Sequence, residues 1–430
     1  MQRSNLHISA AAMLVLLAVA GCGKEEAPPP PPSPTPAAST VEEQVVKIGH
    51  AGPLTGQIAH LGKDNENGVA MAIADANAAG IMVGGKKLKF EIISEDDSAD
   101  PKNGQLVAQK LVDAKVVGVV GHLNSGTSIP ASKVYSDAGI AQISPSATAV
   151  DYTNQGFKTT FLVIANDAQQ GRVLAEFATQ KLSAKKIAII DDRSAYGKGL
   201  ADVFEKVAKG SGAKVLAREF TQTDATDFKA ILTKIKGKKP ELVFFGGMDA
   251  QGGPMAKQLK QLGVSAKFMM GDGGQSPKFI ELAGDAAADV YASTPGVPRD
   301  KMPRGIEFND KYKAKYNQDI QIYAPYAYDA TMALIDAIKK ADSVDAAKVA
   351  AELAKVEHDG VTGKFAFDEK GDIKGGEVTV YQVQNGAWVA LETMGGAAAA
   401  AAAPADAAAP AGAAPAAAPA AEAKKDEKKP

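Results

Sequence analysis

The 430-residue chain contains a single cysteine, Cys22. An intrachain disulfide and a cluster of thiolate metal ligands are therefore both excluded. Surplus charge is also missing: 48 Lys and Arg stand against 50 Asp and Glu, a formal net charge of −2. Phosphate recognition needs a clustered basic surface, so no nucleic-acid partner is expected. No segment reaches the ~18 uninterrupted apolar residues that a spanning helix requires. His50, His60, His122 and His358 lack the H-E-x-x-H spacing of a metal site. Residues 80–87 (GIMVGGKK) approach a phosphate-binding loop, but Lys87 replaces the Ser or Thr that binds magnesium. They also follow a helical pattern and precede a strand, the reverse of the required context. Ser125 lies close after His122 but has no G-x-S-x-G elbow around it. No catalytic residue, no metal and no cofactor is predicted, and the chain is not expected to be an enzyme.

The lone cysteine has its own context. Arg3 supplies a positive start, residues 8–20 are largely apolar, and Val19-Ala20-Gly21-Cys22 follows. The apolar stretch is too short to span a bilayer and suits an export signal. The last four residues resemble a bacterial lipobox, which implies cleavage before Cys22 and acylation of it. Gly23, rather than Asp, after the cysteine favours the outer over the inner membrane. Prolines at 28–32, 34 and 36 then make an extended spacer. At the other end, residues 395–430 are almost entirely Ala and Pro and close with Lys424, Lys425, Lys428 and Lys429. Without large apolar side chains to offset chain entropy, that tail is expected to be disordered. It serves solubility or meets an anionic polymer or lipid.

Between the ends, strand and helix alternate. Residues 45–51 (VVKIGHA) and the alternating 87–94 read as strands, and 116–120 is a continuous apolar run. A helix is expected over 64–79, opened by Asp64 and Asn65, and another from Pro101. The rhythm restarts with KKIAIIDD (185–192), KVLAREF (214–220), ELVFFGG (241–247) and AKFMMGD (266–272). Two such series predict an α/β protein of two doubly wound parallel-sheet lobes joined by hinge crossings. The strand-rich 363–391 would return the chain between them. The expected division is 1–22 signal, 23–44 linker, 45–166 with 296–376 as the first lobe, 167–295 with 377–394 as the second, and 395–430 tail.

Open parallel sheets bind ligands beyond the carboxyl ends of their strands. There the chain carries 121–130 (GHLNSGTSIP), whose hydroxyls and N–H groups lead into a helix with Pro130 in its first turn and suit a carboxylate. It also carries 144–148 (SPSAT), a Tyr196-bearing loop at 191–197 and a flexible acidic turn at 271–274. Donors on one lobe facing Asp272 on the other would recognise a zwitterion. The acid pairs Asp96-Asp97 and Asp191-Asp192 read as helix caps or solvent-facing groups. Tyr323, Tyr326 and Tyr328 either line the cleft or pack their helix, and packing is the preferred reading.

At these loops the sequence resembles the leucine/isoleucine/valine-binding family of periplasmic binding proteins (type I), which serve ATP-driven importers. The resemblance runs over 46–389 through AGPLTG (51–56), DDSADP (96–101), GHLNS (121–125), SPSATA (144–149), DRSAYGKG (192–199), FFGGM (244–248) and FDEKGD (367–372). It implies that Ser125, Ser146, Ala147 and Thr148 hold the ligand's carboxylate and ammonium, and that Tyr196 closes from the second lobe. The sequence departs from the pattern in several places. Leu61 replaces an aromatic, Met248 replaces a tyrosine, and the ammonium-binding acid is Asp272 rather than residue 273. Ala99 and Asn124 stand where some relatives carry a disulfide. Leu61, Tyr196 and Met248 would form an apolar side-chain pocket. The implied function is a monomeric, lipid-anchored periplasmic receptor that delivers a branched-chain amino acid to an ABC permease. A ligand-responsive envelope sensor or scaffold, or a binder of another small carboxylate or amide, remains open beside it.

Overall fold

The computed structural model describes residues 42–396. The expected signal with Cys22, nearly all of the linker and nearly all of the tail lie outside the described residues. Strand β1 (Glu43–Gly52) begins inside the expected linker, and the last strand ends at Gly395, the first residue of the expected tail.

The first sheet comprises β1, β2 (Met82–Val83), β3 (Lys86–Asp96), β4 (Gly118–Gly121), β5 (Ala141–Ser144) and β6 (Thr160–Leu162). Its order is β2-β3-β1-β4-β5-β6, parallel except for the β2–β3 hairpin. The glycine-rich segment that mimics a phosphate loop is the turn of that hairpin. Helices cover both faces, so β4 and β5 are buried along their whole length and read as unbroken apolar or small residues. Gly118 shows how close the cover lies: a Cβ there would meet Leu334 of helix Ala324–Ala341 at 2.7 Å.

The second sheet takes up the series with β7 (Lys186–Asp191), β8 (Lys214–Phe220), β9 (Leu242–Gly246), β10 (Lys267–Met270) and β11 (Tyr291–Pro295). The chain then leaves to place helix Ala324–Ala341 on the first sheet and forms the small β12 (Glu357–Asp359) and β13 (Lys364–Ala366) hairpin. It returns as β14 (Glu377–Gln384) and β15 (Ala387–Gly395), antiparallel strands on the edge next to β11. The order is β15-β14-β11-β10-β9-β7-β8. The chain thus passes between the sheets after β6, after β11 and after β13.

Two local expectations are corrected. The first helix spans Ala59–Ala79, so Asp64 lies inside it and opens nothing there. Its carboxylate instead accepts the N–H groups of Gln321, Ile322, Tyr323 and Ala324, at the start of a helix remote in sequence. The helix after β4 starts at Ser125, which puts Pro130 in its second turn rather than its first.

Candidate functional site

In each sheet the strand order reverses beside a central strand, between β1 and β4 and between β7 and β9. The loops at those switch points face each other, as ligand loops of open α/β sheets do. Leu123, Asn124 and Ser125 after β4, Ser146 after β5, Tyr196 after β7, Met248 after β9, Asp272 after β10, and Tyr323 line one small, partly open cavity of about 10 Å³. That is room for a single water-sized group, so a larger guest enters only if the two halves part. Beside it opens a wider space of about 810 Å³, walled by Thr55, Asn124 and Gly126 from one half and Asp192, Tyr196 and Gln251 from the other.

The first half presents donors on a rigid frame. Asn124 is extended and leads into helix Ser125–Asp137, whose first turn starts at the cavity wall. Ala149 N–H donates to Ser125 Oγ (3.1 Å), and Asn65 donates to Ser146 Oγ (3.1 Å). Ser144 Oγ donates to the His122 carbonyl and accepts the N–H groups of Ser146 and Ala147. The loop root is a buried trio: His122 Nδ1 lies 2.8 Å from Asp97 Oδ2, and Nε2 lies 3.0 Å from the Tyr135 hydroxyl. Asp97 therefore does more than the expected capping; one oxygen takes Ala99 N–H and the other is committed to His122. Thr148 is fully buried, and its hydroxyl is left without a hydrogen-bond partner among the described residues. It lies near the Asp167 carboxyl, whose proton affinity it helps to lower.

The second half presents acceptors. Asp272, 1% exposed, receives the Tyr196 hydroxyl at Oδ1 and the Tyr323 hydroxyl at Oδ2, both at 2.7 Å. Its N–H donates to Gln170, and Gly273 N–H donates to Tyr196. The turn expected to be flexible is thus a buried single 3-10 turn. Burial raises the Asp272 carboxyl above the usual aspartate range, against the pull of the two phenols. Behind it, burial and then the charge of Asp272 push Asp167 up further. A carboxylate offers about four lone-pair sites, so two phenols leave Asp272 capacity for further donors. A Cβ on Gly273 would lie 2.7 Å from Met248 Sδ. A side chain at 273 would therefore require Met248 to move.

Of the residues singled out from sequence, Ser125, Ser146, Tyr196, Met248 and Asp272 share the cavity wall. Ala147 and Thr148 lie buried behind it in the same loop as Ser146. Leu61 belongs to the apolar cluster that also holds Leu123, Tyr196 and Met248. For Tyr323 the preferred packing reading is corrected to the other one weighed, that it lines the cleft. Packing describes Tyr326, bonded to the Pro295 carbonyl, and Tyr328, bonded to Asp75, but Tyr323 reaches into the site. Its only local signal is its place just before an Ala-Pro helix start. Asp167 and Gln170 carry no signal in the sequence, and the fold alone brings them to Asp272.

Two doubly wound halves, joined by three passages of the chain and meeting at their strand ends, define a two-lobed solute-binding protein. The chain belongs to the periplasmic binding protein family, whose sequence model matches residues 45–387. A Leucine-, isoleucine-, valine-, threonine-, and alanine-binding protein of Pseudomonas aeruginosa is 35% identical over 346 residues, 80% of this chain and 92% of that one. A Leu/Ile/Val-binding protein homolog of Brucella abortus is 36% identical over 80% of this chain and 91% of its own length. Among solved structures, the leucine-binding protein LivK of Thermotoga maritima superposes with a TM-score of 0.76 at 27% identity, covering 81% of this chain and 98% of that one. The branched-chain amino acid transporter substrate-binding protein LivJ of Streptococcus pneumoniae, in complex with isoleucine, gives 0.75 at 28% identity, over 82% of this chain and 100% of that one. The family places the protein outside the cytoplasmic membrane.

Proposed function

We propose that the protein captures a branched-chain amino acid between its lobes and delivers it to an ABC permease, with no chemical change to the ligand. The observation that carries this reading is the juxtaposition at one cavity of Ser125 and Ser146, backed by Thr148, with the Asp272 carboxylate of the other half. Hydroxyl and N–H donors suit the ligand carboxylate, and Asp272 suits the ammonium. Leu61, Tyr196 and Met248 supply apolar surface for an aliphatic side chain, and the names of the relatives point the same way. The lobes are assigned as 45–166 with 296–376 and 167–295 with 377–394. Every strand of the first sheet falls within the first of these, apart from the start of β1, and β7–β11 with β14–β15 in the second, apart from Gly395.

Calorimetry tests the ligand. Leucine, isoleucine and valine are expected to bind with micromolar or tighter affinity, and glutamate and lysine far more weakly. A protein that binds none of the three overturns the reading. In the same proposal the protein is a monomer held by acyl chains on Cys22, on the outer membrane where the host has two. Palmitate should label the wild type and not Cys22→Ser; a labelled variant would contradict the anchor.

A further inference from the structure

The closed lobes are also joined beside the cavity by a contact that no ligand role requires. His60 Nε2 lies 2.7 Å from Asp249 Oδ2, although the residues are 189 positions apart. His60 sits in the first turn of helix Ala59–Ala79, next to Leu61; Asp249 opens helix Asp249–Gln261, next to Met248. The pair therefore spans the cleft from the neighbours of two proposed pocket residues. The Asp249 side chain is fully buried and that of His60 is 20% exposed. Within its own lobe, Asp249 receives the Ser276 hydroxyl, also at Oδ2, and its Oδ1 has no partner among the described residues. A longer bond on the same edge joins Gln251 Nε2 to Gln57 Oε1 at 3.5 Å.

The geometry points to His60–Asp249 as a latch that forms only when the lobes close and sets how long the ligand is held; the ligand part rests on the proposed capture reading. Ser276 stays with Asp249 when the lobes part, whereas His60 leaves with helix Ala59–Ala79. The charge-assisted bond thus contributes to the closed state alone. A contact exclusive to one state shifts the population toward it, and a ligand that needs that state inherits the difference in affinity. The effect falls on release rather than capture, because the encounter occurs with the lobes apart and the latch unmade. His60 is a positioning residue here, acting through lobe closure.

Stopped-flow release of leucine from the full chain reads the effect directly. His60→Ala is expected to speed release about ten-fold with association altered less than about two-fold, the scale of one charge-assisted bond. His60→Gln, which keeps a side-chain N–H donor, should recover part of the slow release. Asp249→Ala should match His60→Ala, and the double variant should be no faster than either. Small-angle scattering supplies an arm independent of leucine: ligand-free His60→Ala should be more open than wild type, with unchanged secondary structure. The failures separate. A wild type that binds none of leucine, isoleucine and valine overturns the capture reading, and the latch then stands or falls on scattering, where identical profiles for wild type and His60→Ala overturn it. A wild type that binds leucine while His60→Ala releases it at the same rate overturns the latch alone.

Discussion

Asp272→Asn is expected to weaken leucine binding by roughly a hundred-fold, the upper end of what a hydrogen bond to a charged group contributes. Both carboxylate oxygens already accept phenolic protons, from Tyr196 and Tyr323. An amide keeps one acceptor and turns a donor toward the second phenol and the incoming ammonium, so the substitution removes an attraction and adds a repulsion. Titration should trace the same group. Burial raises the Asp272 carboxyl, opposed mainly by the bonds from Tyr196 and Tyr323. The ionised form holds the ammonium, so affinity is full above the raised value and falls as pH drops through it, beginning above the ordinary aspartate range of about 3.9. Stability of the ligand-free protein runs the other way. A carboxyl whose folded pKa is raised favours the fold when protonated, so this contribution is present at low pH and is lost as pH rises through the raised value. Calorimetry and thermal unfolding over the same pH series check both signs. An Asp272→Asn protein that binds like wild type would contradict the assignment.

Asp64→Ala is expected to cost about 3–5 kcal/mol of folding stability, in the range seen when a buried charged network loses a member. Asp64 is 1% exposed, and one carboxylate accepts four consecutive N–H groups, from Gln321 to Ala324, together with the Tyr312 hydroxyl. Alanine would strand those donors at the start of helix Ala324–Ala341, where the helix dipole also favours a negative charge. Tyr323 stands in the middle of the capped run, so its reach to Asp272 should loosen as well. Urea unfolding should show a lower midpoint at an unchanged slope, because the loss is local and the surface exposed is the same. A shift below about 1 kcal/mol would mean that the four N–H groups find other partners.

The parts of the fold that were readable in the sequence are those whose cause is local. Runs such as LVFFG at β9 are apolar because helices cover both faces of the sheet, and the period changes where a helix follows. The loops after β4, β5, β7, β9 and β10 could be found because position at a strand's carboxyl end is itself a property of the order of elements. What was read differently depends on distant partners. A short acidic residue early in a helical pattern reads as that helix's cap, yet Asp64 caps a helix some 260 residues away. Tyr323 looks like its neighbours Tyr326 and Tyr328 until the sheet carrying Asp272 is folded against it. Asp97 satisfies the local turn with one oxygen, which hides the other oxygen's bond to His122.

The central claim is that a zwitterion is gripped from both lobes, its carboxylate by the Ser125 side and its ammonium by Asp272. Calorimetry of the wild-type protein with leucine, leucinamide and 4-methylpentanoate tests it most directly, since each analogue lacks one of the two charged groups. Leucine should bind, and each analogue should bind at least about ten-fold more weakly, as expected for loss of a hydrogen-bonded charge. Either analogue binding as tightly as leucine would contradict the two-sided grip.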